Sequence, residues 1–463
     1  MSLIKSISGI RGTIGGKPGD NLTPVDVVKF AAAYGSWIIA RKGKKVVIGR
    51  DARLSGEMVS ALVCSTLQGL GLDVIDLGLS TTPTVEIAVP LEKAGGGIIL
   101  TASHNPIQWN ALKLLNEKGE FISAADGAEV LRIAEAEEFS FTEVGKLGKY
   151  TRNDSYIKKH IDLILKSKWV DVNAIKKAKF TIAVDAVNST GGISVPLLLK
   201  KLGVKKVVEL YCEPNGKFPH NPEPLPENIK AICAAVKKSK CHLGIVVDPD
   251  VDRLALVQED GKPFGEEYTL VAVADYILKK KKGNTVSNLS STRALRDVTE
   301  QAGGKYTAAS VGEVNVVNVM KETKAVIGGE GNGGVIFPEL HYGRDALMGI
   351  ALFLSHLAKS GLKASALRKT YPDYFISKNK IELTPGIDVD AVLEAVKKKY
   401  MHEKINTADG VKIDFEASKE WVHLRKSNTE PIIRIYAESQ DSKKADALAK
   451  RIMGDIRSAI DGK

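Results

Sequence analysis

The stretch "GGGIILTASHNP" (95–106) runs an apolar segment directly into a polar turn. A short run such as "IIL", bounded by glycines on one side and Asn-Pro on the other, reads as a buried strand that stops where the turn residues begin. Ser103 has small neighbours, a following His104 and the turn-forming Asn105–Pro106. That context is expected to expose its hydroxyl at the strand end. Turn chemistry alone also collects Ser, Asn and Pro, because they satisfy or remove backbone donors. The same design recurs in "CHLGIVVDPDVDR" (241–253) and "KAVIGGEGNGG" (324–334). In parallel α/β sheets ligands gather at the carboxyl ends of strands, so three such loops on three domains are placed to face one cleft.

Outward from these loops, β-branched runs alternate with amphipathic helical stretches. "KKVVIGRDAR" (44–53) reads as strand and loop, "GEMVSALVCSTLQGLG" (56–71) as helix, and "LDVIDLG" (72–78) as the next strand. "FTIAVDAVNSTGG" (180–192), "KKVVELY" (205–211) and the 241–253 segment continue the rhythm. It predicts α/β domains with largely parallel sheets covered by helices. After "TYPDYF" (370–375) the pattern changes to "KNKIEL", "GVKIDF", "WVHLR" and "IIRIYAES", which predicts a smaller α+β domain with an antiparallel sheet. Polar stretches divide the chain into four expected domains: 1–150, 151–255, 256–370 and 371–463.

The 463 residues, 44% hydrophobic and 26% charged, fit a globular protein of three or four domains. No stretch holds the roughly 18 apolar residues of a membrane helix, and "MSLIKSISGIRG" lacks a signal peptide's apolar core. Cys64, Cys212, Cys233 and Cys241 are scattered without a CxxC pair, so reduced thiols and a cytoplasmic location are expected. The net charge of +11 raises nucleic-acid binding. The lysine runs "LKKKKG" (278–283), "VKKSK" (236–240) and "VKKKY" (396–400) each close an expected helix, where cations complement the dipole. No aromatic-rich basic stretch accompanies them, which argues against a base-stacking platform. A positive field suits a small anionic substrate equally well.

"DPDVDR" packs Asp248, Asp250 and Asp252 into five residues. Three such carboxylates repel unless a cation sits among them, and hard oxygen ligands suit Mg²⁺ or Ca²⁺. An EF-hand fails here. Its sixth position needs glycine and holds Arg253, and the flanks "LGIVV" and "LALVQ" read as strands. "GGEGNGG" (328–334) sets Glu330 and Asn332 among glycines, either as a hairpin turn or as acceptors for sugar hydroxyls. It matches neither a dinucleotide fingerprint nor a P-loop. "RKSNTEPIIR" (425–434) offers Arg425, Ser427, Asn428, Thr429 and Arg434, an anion nest or an ordinary turn. "SGIRG" (8–12) and "GRDARLSG" (49–56) supply Arg11 and Arg53 in similar settings.

Together these loops resemble those of the α-D-phosphohexomutases, in the family's order and over nearly the whole chain. "TASHNP" resembles the phosphoserine loop, "DPDVDR" the magnesium loop, "GEGNGG" the sugar loop and "RKSNTEP" the phosphate loop; "NGKFPHNPEPLPENI" (215–229) is also familial. The resemblance implies three similar α/β domains and a smaller C-terminal one around a central cleft. It implies phosphorylated Ser103, with Mg²⁺ held by Asp248, Asp250, Asp252 and a phosphoserine oxygen. A phosphoryl group would move to a hexose monophosphate, pass through a hexose 1,6-bisphosphate and return. Lys113 in "WNALK" matches the family's acid–base lysine, and Arg11, His104 and Arg253 match groups near the phosphoserine. Glu330 and Asn332 would grip sugar hydroxyls, and Arg425, Ser427, Asn428, Thr429 and Arg434 the phosphate that does not react.

The chain departs from the family pattern at several points. Ala111 and Asn428 stand where glycine is frequent, and Asn332 where serine is. "AASVGEVNV" (308–316) lacks an Arg-Thr pair common before Val-Gly. Gly333 is the residue usual in phosphoglucosamine mutases, where alanine is common in phosphomannomutase/phosphoglucomutases. Glucosamine 6-phosphate/glucosamine 1-phosphate is therefore the expected pair, with mannose and glucose phosphates as alternatives. A serine hydrolase is disfavoured because adjacent Ser103 and His104 lack the G-x-S-x-G elbow. A non-catalytic phosphosugar sensor would not need the serine and acidic triplet that are both present. Neither nucleic acid nor membrane is expected as a partner.

Overall fold

The computed structural model describes residues 2–6, 9–384, 387–426 and 432–460. The chain forms two compact units, Met1–Thr269 with Asn332–Leu367, and Leu270–Gly331 with Arg368–Lys463. The first unit opens with strands β1 (Ile4–Ser6), β2 (Gly9–Thr13), β3 (Lys45–Arg50), β4 (Asp73–Leu79), β5 (Gly96–Leu100), β6 (Trp109–Leu115) and β7 (Tyr150–Arg152). They form one sheet in the order β1-β2-β6-β5-β3-β4-β7. Both of its faces are covered. Ile48, Ile98 and Leu100 pack with Phe30, Trp37 and Leu67 from helices Pro24–Ala40 and Gly56–Gly69. Val47 and Ile99 point the other way, onto Val85 and Val89 of helix Thr82–Leu91. Burial of alternate residues on opposite faces explains why these strands read as continuous apolar runs.

The sheet is more mixed than the expected parallel one. β3 pairs parallel with β4 and β5, but β6 pairs antiparallel with both β5 and β2. A parallel return needs a crossover of a dozen or more residues. The loop 101–108 is too short for one, so β6 comes straight back beside β5 and carries Lys113 past the serine loop.

The second sheet of this unit has the order β11-β10-β8-β9, from β8 (Thr181–Asp185), β9 (Lys206–Leu210), β10 (Leu243–Val247) and β11 (Leu254–Gln258). β8 is parallel to β9 and β10, while β10 and β11, the strands expected on either side of "DPDVDR", pair antiparallel. In the second unit β12 (Thr285–Asn288) lies parallel between β13 (Tyr306–Ala309) and β14 (Ile327–Glu330). Strand β15 (Gly334–Ile336) and helix Ala346–Ser360 belong to the first unit.

The C-terminal sheet is wholly antiparallel, as the sequence predicted. Its order is β16-β20-β19-β18-β17, with β16 (Phe375–Glu382), β17 (Lys404–Asn406), β18 (Val411–Phe415), β19 (Glu420–Lys426) and β20 (Ile432–Ser439). Val392 and Val396 of helix Val389–Lys399, with Leu448 and Ile452 of helix Ser442–Ile460, close one core on it. The lysine runs do fall at helix ends, Lys237–Lys238 and Lys397–Lys399 in last turns and Lys279 just after Leu278. Among the described residues, no helix is long and apolar enough to cross a membrane.

Candidate active site

The serine loop is built around one arginine. Arg53 and Asp51 are an ion pair at 3.0 Å, and neither side chain is exposed. The Arg53 guanidinium also donates to the carbonyls of Ser103, Asn105, Pro106 and Trp109. With Nε on Asp51, its five N–H donors are all used inside the protein. The sequence offered Arg53 as an anion ligand; the structure makes it the frame of the loop. Thr101 Oγ1 donates to Asp51 Oδ2 at 2.7 Å and accepts from the Ser103 N–H at 2.9 Å. These bonds hold Ser103 at a φ of +48°, a left-handed conformation that costs a serine on the order of 1 kcal/mol.

The Ser103 hydroxyl is not exposed, contrary to expectation. The residue is only 7% accessible, because the β10–β11 turn lies over the strand end and Oγ donates to Asp248 Oδ2 at 2.7 Å. Asp248, Asp250 and Asp252 are each fully buried, and one oxygen from each lies within 4.8 Å of the others. Asp248 Oδ1 accepts the Asp252 and Arg253 N–H groups. Asp250 Oδ2 accepts from Lys113 Nζ at 2.8 Å and Thr82 Oγ1 at 2.6 Å. Asp252 Oδ2 accepts from Arg344 Nη2 at 2.7 Å. Asp250 Oδ1 and Asp252 Oδ1 are buried without a hydrogen-bond partner.

Burial lifts the Asp248 carboxyl well above the usual carboxylate range, and its neighbours Asp252 and Asp250 push the same way. Burial raises Asp250 too, but the Lys113 ammonium outweighs it and holds that group low. Each orphaned buried oxygen costs about 1–3 kcal/mol. A hard divalent cation satisfies both oxygens and relieves the mutual repulsion, so the residues present fit such an ion.

Register places the cations. Lys113 pairs with Ile99 across β5–β6, and Arg11 pairs with Ala111 across β2–β6. Directly opposed and alternate residues share a face, so Arg11 and Lys113 stand on the same side of the sheet. Two attractive carboxylates overcome Lys113's burial, which alone would favour the neutral amine, and hold its pKa above the ordinary lysine value. Arg253 pairs at 3.2 Å with Glu223, delivered by the "NGKFPHNPEPLPENI" segment. His104 is pushed down to about 2 by burial and by Arg253 and Arg344, so its imidazole is neutral. Sequence reasoning missed Thr82 and Arg344. Their carboxylate partners lie 168 and 92 residues away, and no local pattern marks them.

In the second unit Glu330 ends β14 and is 5% exposed. Its Oε1 accepts from Asn288 Nδ2 at 2.9 Å and from the Gly312 N–H at 3.1 Å. Asn288 ends β12, and its Oδ1 takes the Ser290 N–H and the Ser291 hydroxyl. The signal for Asn288 was present: "TVSNLSST" (285–292) is another apolar strand running into a polar loop. Arg425 and Arg434 face each other across β19–β20, and Lys380 faces Arg434 across β16–β20. Like charges directly opposed in a sheet are unfavourable, and this row becomes favourable with an anion on it. Arg425 also pairs with Asp409 at 2.8 Å. Ser427, Asn428 and Thr429 lie outside the described residues.

Asn332 lies in the first unit, where its Oδ1 accepts the Gly334 N–H. Next to it, Gly333 has a φ of +85°, and a Cβ there would stand 2.4 Å from the Leu254 carbonyl oxygen. Backbone geometry therefore demands this glycine, whichever sugar is bound.

Known proteins bear out the resemblance. Residues 3–141, 156–261, 265–374 and 380–454 match, in turn, the three alpha/beta/alpha domains and the C-terminal domain of the phosphoglucomutase/phosphomannomutase family. A "Phosphoglucomutase/phosphomannomutase" of Thermococcus kodakarensis is 38% identical over 94% of this chain and 95% of its own. A "Probable phosphoglucosamine mutase" of Methanopyrus kandleri is 30% identical over 98% of each. The crystal structure of a phosphoglucomutase/phosphomannomutase family protein from Burkholderia thailandensis superposes with a TM-score of 0.84 at 26% identity, covering 99% of this chain and 98% of that one. The buried serine beside three convergent carboxylates thus sits in a chain that belongs to the α-D-phosphohexomutase family, enzymes of the phosphotransferase type that isomerise hexose phosphates.

Proposed function

We propose that this phosphohexomutase interconverts hexose 6-phosphates and hexose 1-phosphates through a phosphorylated Ser103, with glucosamine phosphates as its main substrates. The observation that carries the mechanism is the Ser103 hydroxyl, held 2.7 Å from Asp248 beside two partnerless carboxylate oxygens. The transferring Oγ–P bond breaks as an O–P bond forms to the sugar's free hydroxyl, which gives up its proton. The reverse transfer takes the other phosphate of the resulting bisphosphate. Mg²⁺, held by Asp248, Asp250, Asp252 and an oxygen of the phosphorylated serine, would neutralise charge on the moving group. Lys113, protonated beside Asp250, gives a proton to the departing oxygen and takes the one that the attacking hydroxyl releases, so it ends the step protonated again. Arg11, His104 and Arg253 line the phosphoserine. Glu330 and Asn332 meet sugar hydroxyls, and Arg425 and Arg434, with Ser427, Asn428 and Thr429, hold the phosphate that stays.

The name of the Methanopyrus kandleri relative supports the glucosamine reading. Gly333 lends it nothing, since the backbone requires glycine there. Glucose and mannose phosphates are the second reading, favoured by the name of the Thermococcus kodakarensis relative and its 38% identity. Initial rates on glucosamine, glucose and mannose 1-phosphates, with the bisphosphate supplied, rank the sugars; kcat/KM highest for glucosamine 1-phosphate is expected. Intact mass is expected to show one phosphate on part of the population. Ser103→Ala loses it, together with at least about 10³-fold of turnover. Full activity in that variant overturns the mechanism, and a preference for glucose or mannose overturns the sugar assignment alone.

A further inference from the structure

A second convergent cluster lies in the first unit, apart from the aspartate triplet. His160 from helix Tyr156–Lys166, His341, and Asp345 at the start of helix Ala346–Ser360 meet there. His160 Nε2 stands 2.9 Å and His341 Nε2 3.2 Å from the same oxygen, Asp345 Oδ2. Asp345 Oδ1 is committed elsewhere, accepting the Leu347 and Met348 N–H groups as the helix cap. The two imidazole planes are at 90°, with centroids 6.2 Å apart. Each ring's outer nitrogen also has an oxygen partner. Thr84 Oγ1 lies 3.0 Å from His160 Nδ1, and Glu86 Oε2 lies 3.3 Å from His341 Nδ1.

We propose that His160 Nε2, His341 Nε2 and Asp345 Oδ2 form a second metal site, for Zn²⁺. Two imidazoles and one carboxylate are a zinc donor set, whereas Mg²⁺ prefers oxygen alone. Ligands about 2.0–2.1 Å from a tetrahedral zinc stand roughly 3.3 Å apart, close to the 2.9 and 3.2 Å that separate the two nitrogens from Asp345 Oδ2. Tautomers agree as well. With a proton on each Nδ1, His160 donates to Thr84 Oγ1, His341 has the Glu86 carboxylate as its ion-pair neighbour, and both rings turn their Nε2 lone pairs inward, the outer-shell arrangement that orients zinc-bound histidines. Charge agrees too. Glu86 and Asp345 are each 1% exposed and carry two negative charges, which one divalent cation balances. His341, at 12% exposure, is the way in and leaves a fourth position for water.

The site acts as an anchor behind the chemistry. Helix Thr82–Leu91 bears Thr84 and Glu86 on this cluster and Thr82 on Asp250. Arg344, next to Asp345 in the chain, holds Asp252. The proposal rests on this geometry and on no assignment of substrate.

The test uses the full chain without a purification tag, exposed to ZnCl₂, desalted in millimolar Mg²⁺ and measured by elemental mass spectrometry. One zinc per chain is expected, retained in Asp250→Ala. Glu86→Gln is expected to weaken zinc affinity about 10–100-fold, and His341→Asn to abolish stoichiometric uptake. Cobalt substituted for zinc is expected to give the intense visible bands of a four-coordinate N/O site, without sulfur charge transfer from the four cysteines. Circular dichroism checks that His341→Asn folds. If it does not, the zinc content and cobalt spectrum of the unaltered chain decide. A folded wild-type chain that keeps no zinc, zinc content unchanged in folded His341→Asn, or a six-coordinate cobalt spectrum overturns the proposal.

Discussion

At Lys113, a single ammonium separates two outcomes for the aspartate triplet. It is 2.8 Å from Asp250 and 3.6 Å from Asp252, both fully buried. Lys113→Met removes the partner but leaves the charges, the situation that costs about 3–5 kcal/mol for a buried pair. Urea unfolding is expected to register that loss in metal-free buffer and a smaller one with Mg²⁺ present; equal losses in both buffers count against a cation among the aspartates. His104 gives the matching test on the basic side. Burial and the Arg253 and Arg344 charges push its pKa to about 2 from 6.5. The folded state therefore rejects a proton that the unfolded chain accepts, and the stability this neutral ring contributes declines as pH falls below 6.5. Nitrogen NMR is expected to show a neutral His104 ring at pH 5. A ring found charged at pH 6 would mean the two arginines do not surround it as described.

At the scale of elements, the serine loop illustrates how much one side chain can organise. Arg53→Met removes the donors to four loop carbonyls and leaves Asp51 buried without its partner. The expected destabilisation is about 3–5 kcal/mol. Activity is expected to fall further than the remaining folded fraction explains, because Thr101 alone is then left to hold Ser103 in its left-handed conformation, on an Asp51 that has lost its partner. Activity that tracks the folded fraction alone would make Arg53 a stabiliser without a part in aiming the serine. The strand before this loop and the two strands flanking "DPDVDR" were legible, since apolar runs bounded by turn residues need no distant partner to be read. The antiparallel return of β6 was legible in principle from loop length, yet the βαβ rhythm hid it. Arg53 was misread because a guanidinium's five donors suit an anion and a row of carbonyls equally well.

For the molecule as a whole, a buried acid is among the groups through which pH bears on the second unit. Glu438 on β20 is completely buried, accepting the Arg293 N–H at 2.8 Å and Trp421 Nε1–H at 2.6 Å. Around it Lys412 Nζ donates to the Leu289 carbonyl, Ser290 Oγ meets His423, and Arg293 and Arg296 pair with Glu416. Burial lifts the Glu438 pKa from 4.5 to about 7. A raised acid pKa means the folded state holds the proton longer. Its contribution is intact below pH 4.5, declines as pH rises and is lost above pH 7. At about 1.4 kcal/mol per pH unit the loss is about 3.4 kcal/mol. Glu438→Gln keeps the acceptor oxygen and removes the charge. It is expected to unfold at higher urea than the wild type at pH 8.5 and at the same urea at pH 4.5. An unchanged difference across that range would show that Glu438 does not titrate in the folded state.

By itself the sequence determined the fold class, the antiparallel C-terminal sheet, the three aspartates and the candidate serine. Each of these is written in local periodicity, in turn chemistry or in donor types packed within a few residues. Tertiary structure alone decided that Ser103 is buried against Asp248, that Thr82 and Arg344 complete the aspartates' shell, and that His160, His341 and Asp345 share one oxygen. It also decided that Gly333 answers to the backbone and not to a sugar. Those facts depend on pairs brought together from tens to nearly two hundred residues apart, and such pairs leave no period or spacing in the chain. Packing and register bring them into contact.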